Sequence, residues 1–147
     1  MKPESLLTFL RDNSKIDEEQ MSEMLDEQTR SGKPIEDIVA NSGTIAMKSV
    51  YEMIAQALGT EVVDISKMEF PAELLTMVQP QIARVQGVLP IEFDGHTLRI
   101  VVMDPLDFHV ADSVRIATRR DIAVYVAPAA VIQTLIERYY GVEVSDI

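Results

Sequence analysis

Two carboxylates stand three residues apart in Met103-Asp104-Pro105-Leu106-Asp107, with His96 before them and His109 after. Acids at that spacing could share general acid and base work, and histidine with carboxylate could hold a metal. The neighbouring residues give each group a quieter role. Asp104 before Pro105 reads as a helix start, with Asp as N-cap and Pro at the first helical position, and Asp107 then adds favourable charge to the first turn. His96 follows Asp94-Gly95 in a hairpin loop. His109 has only Asp107 and Asp112 near it in sequence, fewer donors than a two-histidine-one-carboxylate centre needs. The six glycines stand singly, so neither a phosphate-binding loop nor a dinucleotide fingerprint can be written. Cysteine is absent, which removes thiolate ligands and disulfides. No enzyme class is supported, and no catalytic residue or metal ligand is assigned.

Charge is distributed unevenly. Asp17, Glu18, Glu19, Glu23, Asp26 and Glu27 crowd one stretch, the pattern of a solvated helix face. The formal net charge is -11, from 24 acidic and 13 basic residues. Such a surface repels phosphate backbones and anionic lipid, so nucleic-acid binding and direct membrane insertion are not expected, while a basic protein partner would suit it. Arg115, Arg119 and Arg120 form the one local basic cluster, which could dock an acidic partner or simply favour a helix C-terminus. Met21, Met24 and Met53, among eight methionines, fall at inward helical positions as core fillers or as an adaptable contact face.

The elements that position these groups divide into two kinds. The chain has 147 residues with 47% hydrophobic and 25% charged, a globular composition. It has no signal-like N-terminus and no apolar run of membrane-spanning length, so a cytoplasmic location is expected. Helical spacing marks Ser5–Arg11, a second helix capped by Asp17 with Gln20 at the capping-box position, a third around Ile35, Ile38 and Val39, and a fourth over Met47–Leu58 with Val50, Met53, Ile54 and Ala57 on one face. Leu6, Leu10, Ile16, Met21, Met24 and Leu25 recur about 29 residues later as Ile35, Val39, Ile45, Val50, Met53 and Ile54. Each unit is a short helix, a turn and a longer amphipathic helix. Beyond Glu61–Ile65 the pattern changes to two proline-opened helical pieces, an Asp94-Gly95 hairpin between apolar runs, a helix from Asp104 with Leu106, Val110, Val114 and Ala117 buried, a strand over Ile122–Val126, and a last helix after Pro128. The fold class is therefore α+β: a helical subdomain with an internal repeat over residues 1–65, then an α/β subdomain over 66–147 in β-β-α-β-α order, its small sheet carrying helices on one face.

Several segments in succession carry a resemblance. Ala57-Leu58-Gly59 with Val62-Val63-Asp64-Ile65, then Val88-Leu89-Pro90-Ile91, Asp94-Gly95-His96-Thr97-Leu98, Val102-Met103-Asp104-Pro105-Leu106-Asp107 and Ile136-Glu137-Arg138-Tyr139-Tyr140-Gly141 follow one another in an order and spacing similar to the N-terminal domain of type II secretion and type IV pilus assembly ATPases, the general secretory pathway protein E family. The resemblance implies a non-catalytic adaptor that precedes a RecA-like motor and docks it to the cytoplasmic domain of an inner-membrane platform protein. The protein would then be cytoplasmic and peripheral to the inner membrane through that partner. The motor's phosphate loop and metal-binding cysteines do not occur in these residues, so the sequence is either a piece of a longer ATPase or a stand-alone regulatory module. For docking, the outer groups of the helical half are the candidates: Glu19, Glu23, Glu27 and Arg30.

One branch of that family binds cyclic di-GMP through two tandem copies of a pattern with an Arg-Leu-Gly opening, a later glycine and a terminal glutamine. Its positions fall on Ser5-Leu6-Leu7, Leu10, Ser14 and Gln28 in the first copy, and on Pro34-Ile35-Glu36, Val39, Gly43 and Ala57 in the second. Leu6, Leu10, Gln28, Ile35, Val39 and Gly43 keep the pattern. Both arginines and the opening glycines are replaced, which removes planar charge-assisted contacts and close backbone approach. No cofactor is expected on this reading, with cyclic di-GMP as the alternative.

Overall fold

The computed structural model describes residues 1–141. Its first part is four helices, α1 (Pro3–Asp12), α2 (Glu18–Ser31), α3 (Ile35–Ser42) and α4 (Met47–Leu58). The capping box of α2 is complete: the Asp17 carboxylate accepts from the Gln20 amide at 2.8 Å, and the Gln20 side chain accepts from the Asp17 amide at 2.9 Å. The turn after α1 passes through Ser14 at φ 61° and the turn after α3 through Gly43 at φ 73°. These positions are 43 − 14 = 29 residues apart, the repeat offset, so both copies reverse through the same left-handed backbone, one of them without glycine. The two hairpins bury their apolar faces together, with Leu6, Leu7, Leu10, Val39, Val50 and Ile54 wholly inaccessible.

The buried face of α4 is Val50, Tyr51, Ile54 and Ala55, and Ala57 is exposed, contrary to the sequence expectation. At about 100° per residue the centre of that arc lies between Ile54 and Tyr51, roughly a quarter turn from Ala57.

The second part holds α5 (Ala72–Leu75), α6 (Pro80–Gln86), β1 (Val88–Phe93), β2 (Thr97–Val102), α7 (Phe108–Thr118), β3 (Asp121–Tyr125) and α8 (Ala129–Tyr140), the β-β-α-β-α order read from the sequence. The strands lie in the order β1-β2-β3, β1 antiparallel and β3 parallel to β2. In the hairpin loop the Asp94 carboxylate accepts from the amides of Thr97 at 2.7 Å and His96 at 2.9 Å; these bonds hold its pKa below the usual carboxylate range. Ile100, Val101 and Val102 are successive buried residues. Successive strand side chains point to opposite faces, so this end of the sheet is covered on both sides and not on one.

The start of α7 also differs from expectation. Asp104 does not cap it. Its carbonyl accepts from the Asp107 amide at 3.1 Å, and its carboxylate accepts from the amides of Leu106 at 3.3 Å and Lys2 at 3.2 Å, a turn that ties the loop to the first helix. The cap is Asp107, which has the extended backbone a cap needs and accepts from the His109 amide at 3.0 Å. Leu106 therefore precedes the helix and packs against the four-helix core, Val110 and Val114 are buried, and Ala117 is exposed.

Two cores meet at the junction. Val63 N–H donates to the Val126 carbonyl at 2.8 Å and Val126 N–H to the Glu61 carbonyl at 3.0 Å, which extends the sheet beyond β3 by a parallel bridge. Ile65 is buried in the sheet core, while Val126 is buried in the helical core.

Candidate functional site

Where α3 and α4 approach the start of α8, a largely apolar cleft of about 670 Å³ opens, with Ile35, Met47, Tyr51, Met103 and Ala129 in its walls and Gln28, Glu36, Asp37 and Gln133 among its polar groups. Tyr51 joins the two halves here. Pro128, at the N-cap of α8, offers no side-chain acceptor, and the Tyr51 hydroxyl oxygen, reaching across from α4, accepts from the Ala129 amide at 3.2 Å. That bond satisfies one of the amides a helix start leaves without an internal partner. Burial pushes the Tyr51 phenol above its usual pKa; the Ala129 amide opposes the shift, and the Glu36 and Asp37 carboxylates add to it. Glu36 is paired with the Met1 ammonium at 3.0 Å, and Lys33 lines the cleft with Asp37, so the acids are balanced by cations.

A second groove, open and about 540 Å³, runs along α2. Gln20, Glu23, Met24, Glu27 and Arg30 form one side, and Ser42 and Thr44 the other. α2 carries Glu18, Glu19, Glu23, Asp26 and Glu27 against Arg30, so its formal charge is −5 + 1 = −4. Glu23 and Glu27 are exposed, and neither forms a salt bridge among the described residues. This wall can attract and orient a basic surface.

The candidate residues separate into three places. Glu23, Glu27 and Arg30 share the α2 groove, while Glu19 is exposed on the same helix outside it. Gln28 and Ile35 line the cleft; the Gln28 amide also donates to the Lys33 carbonyl at 3.4 Å. Leu6, Leu10 and Val39 are buried core residues, and Gly43 is the left-handed C-cap of α3. Leu7, at the position of the nucleotide pattern's opening glycine, is also wholly buried. Of the hairpin and helix groups that drew attention in the sequence, His96 is exposed with its Nε2 3.1 Å from an Asp121 carboxylate oxygen. Among the described residues no three His, Asp or Glu side chains gather to hold a metal, and no helix is long and apolar enough to cross a membrane. Sequence reasoning passed over Tyr51. Its signal was present: Val50, Tyr51, Ile54 and Ala55 follow i, i+1, i+4, i+5 spacing, a wider apolar arc than the one first drawn.

Residues 58–146 match the MshEN domain family. The chain belongs to that family. Its curated relatives are longer proteins. This MshEN-family chain is 31% identical over 126 residues to the type IV pilus assembly ATPase PilB of Thermus thermophilus, an alignment covering 82% of this chain and 14% of that one. It is 31% identical over 119 residues to the type II secretion system protein E of Xanthomonas campestris, covering 78% of this chain and 21% of the relative. Thus the MshEN chain spans about a fifth or less of the length of these curated relatives. Two solved structures share its fold. The structure of MshE with cdg has a TM-score of 0.69 at 24% identity and covers 92% of this chain and 98% of that one. The N-terminal domain of XpsE has a TM-score of 0.63 at 21% identity, with 92% and 94% covered.

Proposed function

We propose that this MshEN-family chain is a non-catalytic adaptor of a secretion or pilus ATPase, docking a motor to the cytoplasmic domain of an inner-membrane platform protein. The observation that carries this reading is the acidic α2 groove. Glu23 and Glu27 stand exposed beside Arg30, without ion partners among the described residues, over a Met24 that is buried in the helical core. The names of the relatives support a secretion or pilus machine as the setting, and the acidic charge of α2 suits a basic partner. Calorimetry with the platform protein's cytoplasmic domain tests it. The double reversal Glu23→Lys with Glu27→Lys should weaken binding at least tenfold with an unchanged circular dichroism spectrum. Binding that ignores the reversal overturns the assignment of the surface, and no binding to the intact ATPase overturns the role.

A second reading, that the domain binds cyclic di-GMP, has one observation in its favour. The fold is shared with MshE, solved with cdg, and Gln28 and Ile35 border a cleft. Against it, Leu7 fills the place of a glycine without any exposure, and Ser5 and Pro34 stand where the pattern has its two arginines. Titration with cyclic di-GMP decides between the readings, micromolar or tighter binding favouring the second. A stand-alone regulatory role is the third possibility, and a motor-coding sequence continuous with this one in the gene would exclude it.

A further inference from the structure

The arginines at the end of α7 have no part in either site, yet they are where this acidic chain concentrates positive charge. Arg115 is paired with Asp112 at 2.6 Å, and Arg120 lies over the Phe93 ring with its guanidinium carbon 4.8 Å from the centroid. Arg119 has no acidic partner within salt-bridge distance among the described residues. It also occupies a left-handed C-cap at φ 57°. At the corresponding ends of α2, α3, α4 and α6 the chain uses Gly32, Gly43, Gly59 and Gly87, which adopt that conformation without strain. At α7 the conformation is kept, and the residue placed there is a cation.

Two large apolar side chains on the same helix face water, Phe108 at 68% exposure and Ile116 at 77%. Eight residues of helix separate them, about 12 Å. Phe108 stands between two shallow grooves, one reaching Phe9 and Leu106 and the other Leu58 and Val124. Arginine and aromatic side chains together are the composition of interface hot spots.

We infer that α7 is a second docking surface and that its occupant is an acidic amphipathic helix of a partner protein. Apolar side chains two turns apart on that helix cover Phe108 and Ile116, and carboxylates at one end meet Arg119 and Arg120. The seat has a polarity, because Glu4 and Asp12 line the groove beside Phe108 and repel the acidic end from there. A bilayer is a worse match. A helix about 10 Å wide senses chiefly the charges beneath it, Arg119 and Arg120 with Asp121 beside them and Arg115 held by Asp112, since charges beyond a Debye length of roughly 8 Å are screened. A flat anionic membrane meets more of a chain whose net charge is -11.

The probe is a fluorescein-labelled 18-residue helical peptide with leucines two turns apart and three glutamates in its last turn; a control carries lysines in their place. Both are titrated by anisotropy with the full chain at low salt. The glutamate peptide should bind at least tenfold more tightly than the lysine peptide. Arg119→Glu should weaken it at least fivefold, and Phe108→Ser at least threefold, with the circular dichroism of both variants unchanged because both side chains are exposed. Three results overturn the inference: tighter binding of the lysine peptide, indifference to both substitutions, or capture of the chain by phosphatidylglycerol vesicles where the glutamate peptide does not bind.

Discussion

Replacing Tyr51 with phenylalanine removes one oxygen atom and leaves the packed ring, so the change isolates the bond between the two halves of the molecule. That oxygen accepts from the Ala129 amide at 3.2 Å in a buried setting. A net hydrogen bond contributes about 1 kcal/mol, and a buried amide left without a partner costs about 1–3 kcal/mol. The adjoining cleft is open on one side, so water can reach the freed amide and hold the cost toward the lower end. The expected loss is about 1–2 kcal/mol, which for a domain of this size corresponds to a fall in Tm of roughly 3–8 °C. Urea denaturation followed by circular dichroism measures it, and the slope with urea should not change because no apolar surface is removed. A loss under about 0.3 kcal/mol refutes the claim that this bond holds the halves together, set against the usual worth of a bond. A loss above about 4 kcal/mol points to repacking of the ring, the scale of a core truncation.

Three further outcomes are expected. Asp17→Ala and Asp107→Ala should each cost about 1 kcal/mol through loss of a helix cap, and rescue by Asn but not by Leu, read from the same denaturation curves, separates capping from bulk. Ser14→Gly should stabilise by about 0.5–1 kcal/mol, since glycine relieves the left-handed strain at φ 61° and gives back part of it in backbone entropy; Gly43→Ala, at the equivalent turn, should destabilise, and equal signs for the two would contradict the shared geometry. Tyr140 donates to the Leu75 carbonyl at 2.6 Å, and burial raises its pKa, as burial raises that of Tyr51. A raised folded pKa means that stability is fully present below the unfolded value of about 10 and falls as pH rises through the folded one. Tyr140→Phe should therefore flatten the loss of stability between pH 9.5 and 11.5, and an unchanged pH profile would count against a buried phenol there.

Much of the fold was legible because local chemistry and global packing agree. The Asp17–Gln20 box and the Asp94-Gly95 loop each have a short-range cause, and each appears where the residues indicate. Asp104 shows the limit. Asp-Pro is a good helix start in isolation, but the loop is drawn toward the Lys2 amide, 102 residues away, and Asp107 caps instead. Tyr51 shows a second limit. Its apolar spacing was visible, whereas the amide it serves lies 78 residues further on and only the assembled fold brings them together. For the candidate site, α2's acidic wall could be read from composition, because solvated charges need no tertiary partner. The cleft could not, since its walls come from α3, α4, α8 and Met103 at once.

The seating of a sheet-side residue in the helical core has a mechanical meaning. Val126, next to β3, is buried in the helical core, and a few residues away Tyr51 grips the head of α8. A load applied at the acidic face of α2 does not meet a hinge on its way to the sheet; it meets a mortise, with Val126 as its tenon. Swinging one half against the other means withdrawing a buried valine and breaking a buried hydrogen bond. Pull on the helical half is therefore delivered to α8 and the sheet with little slack, as a bracket delivers it and a tether does not.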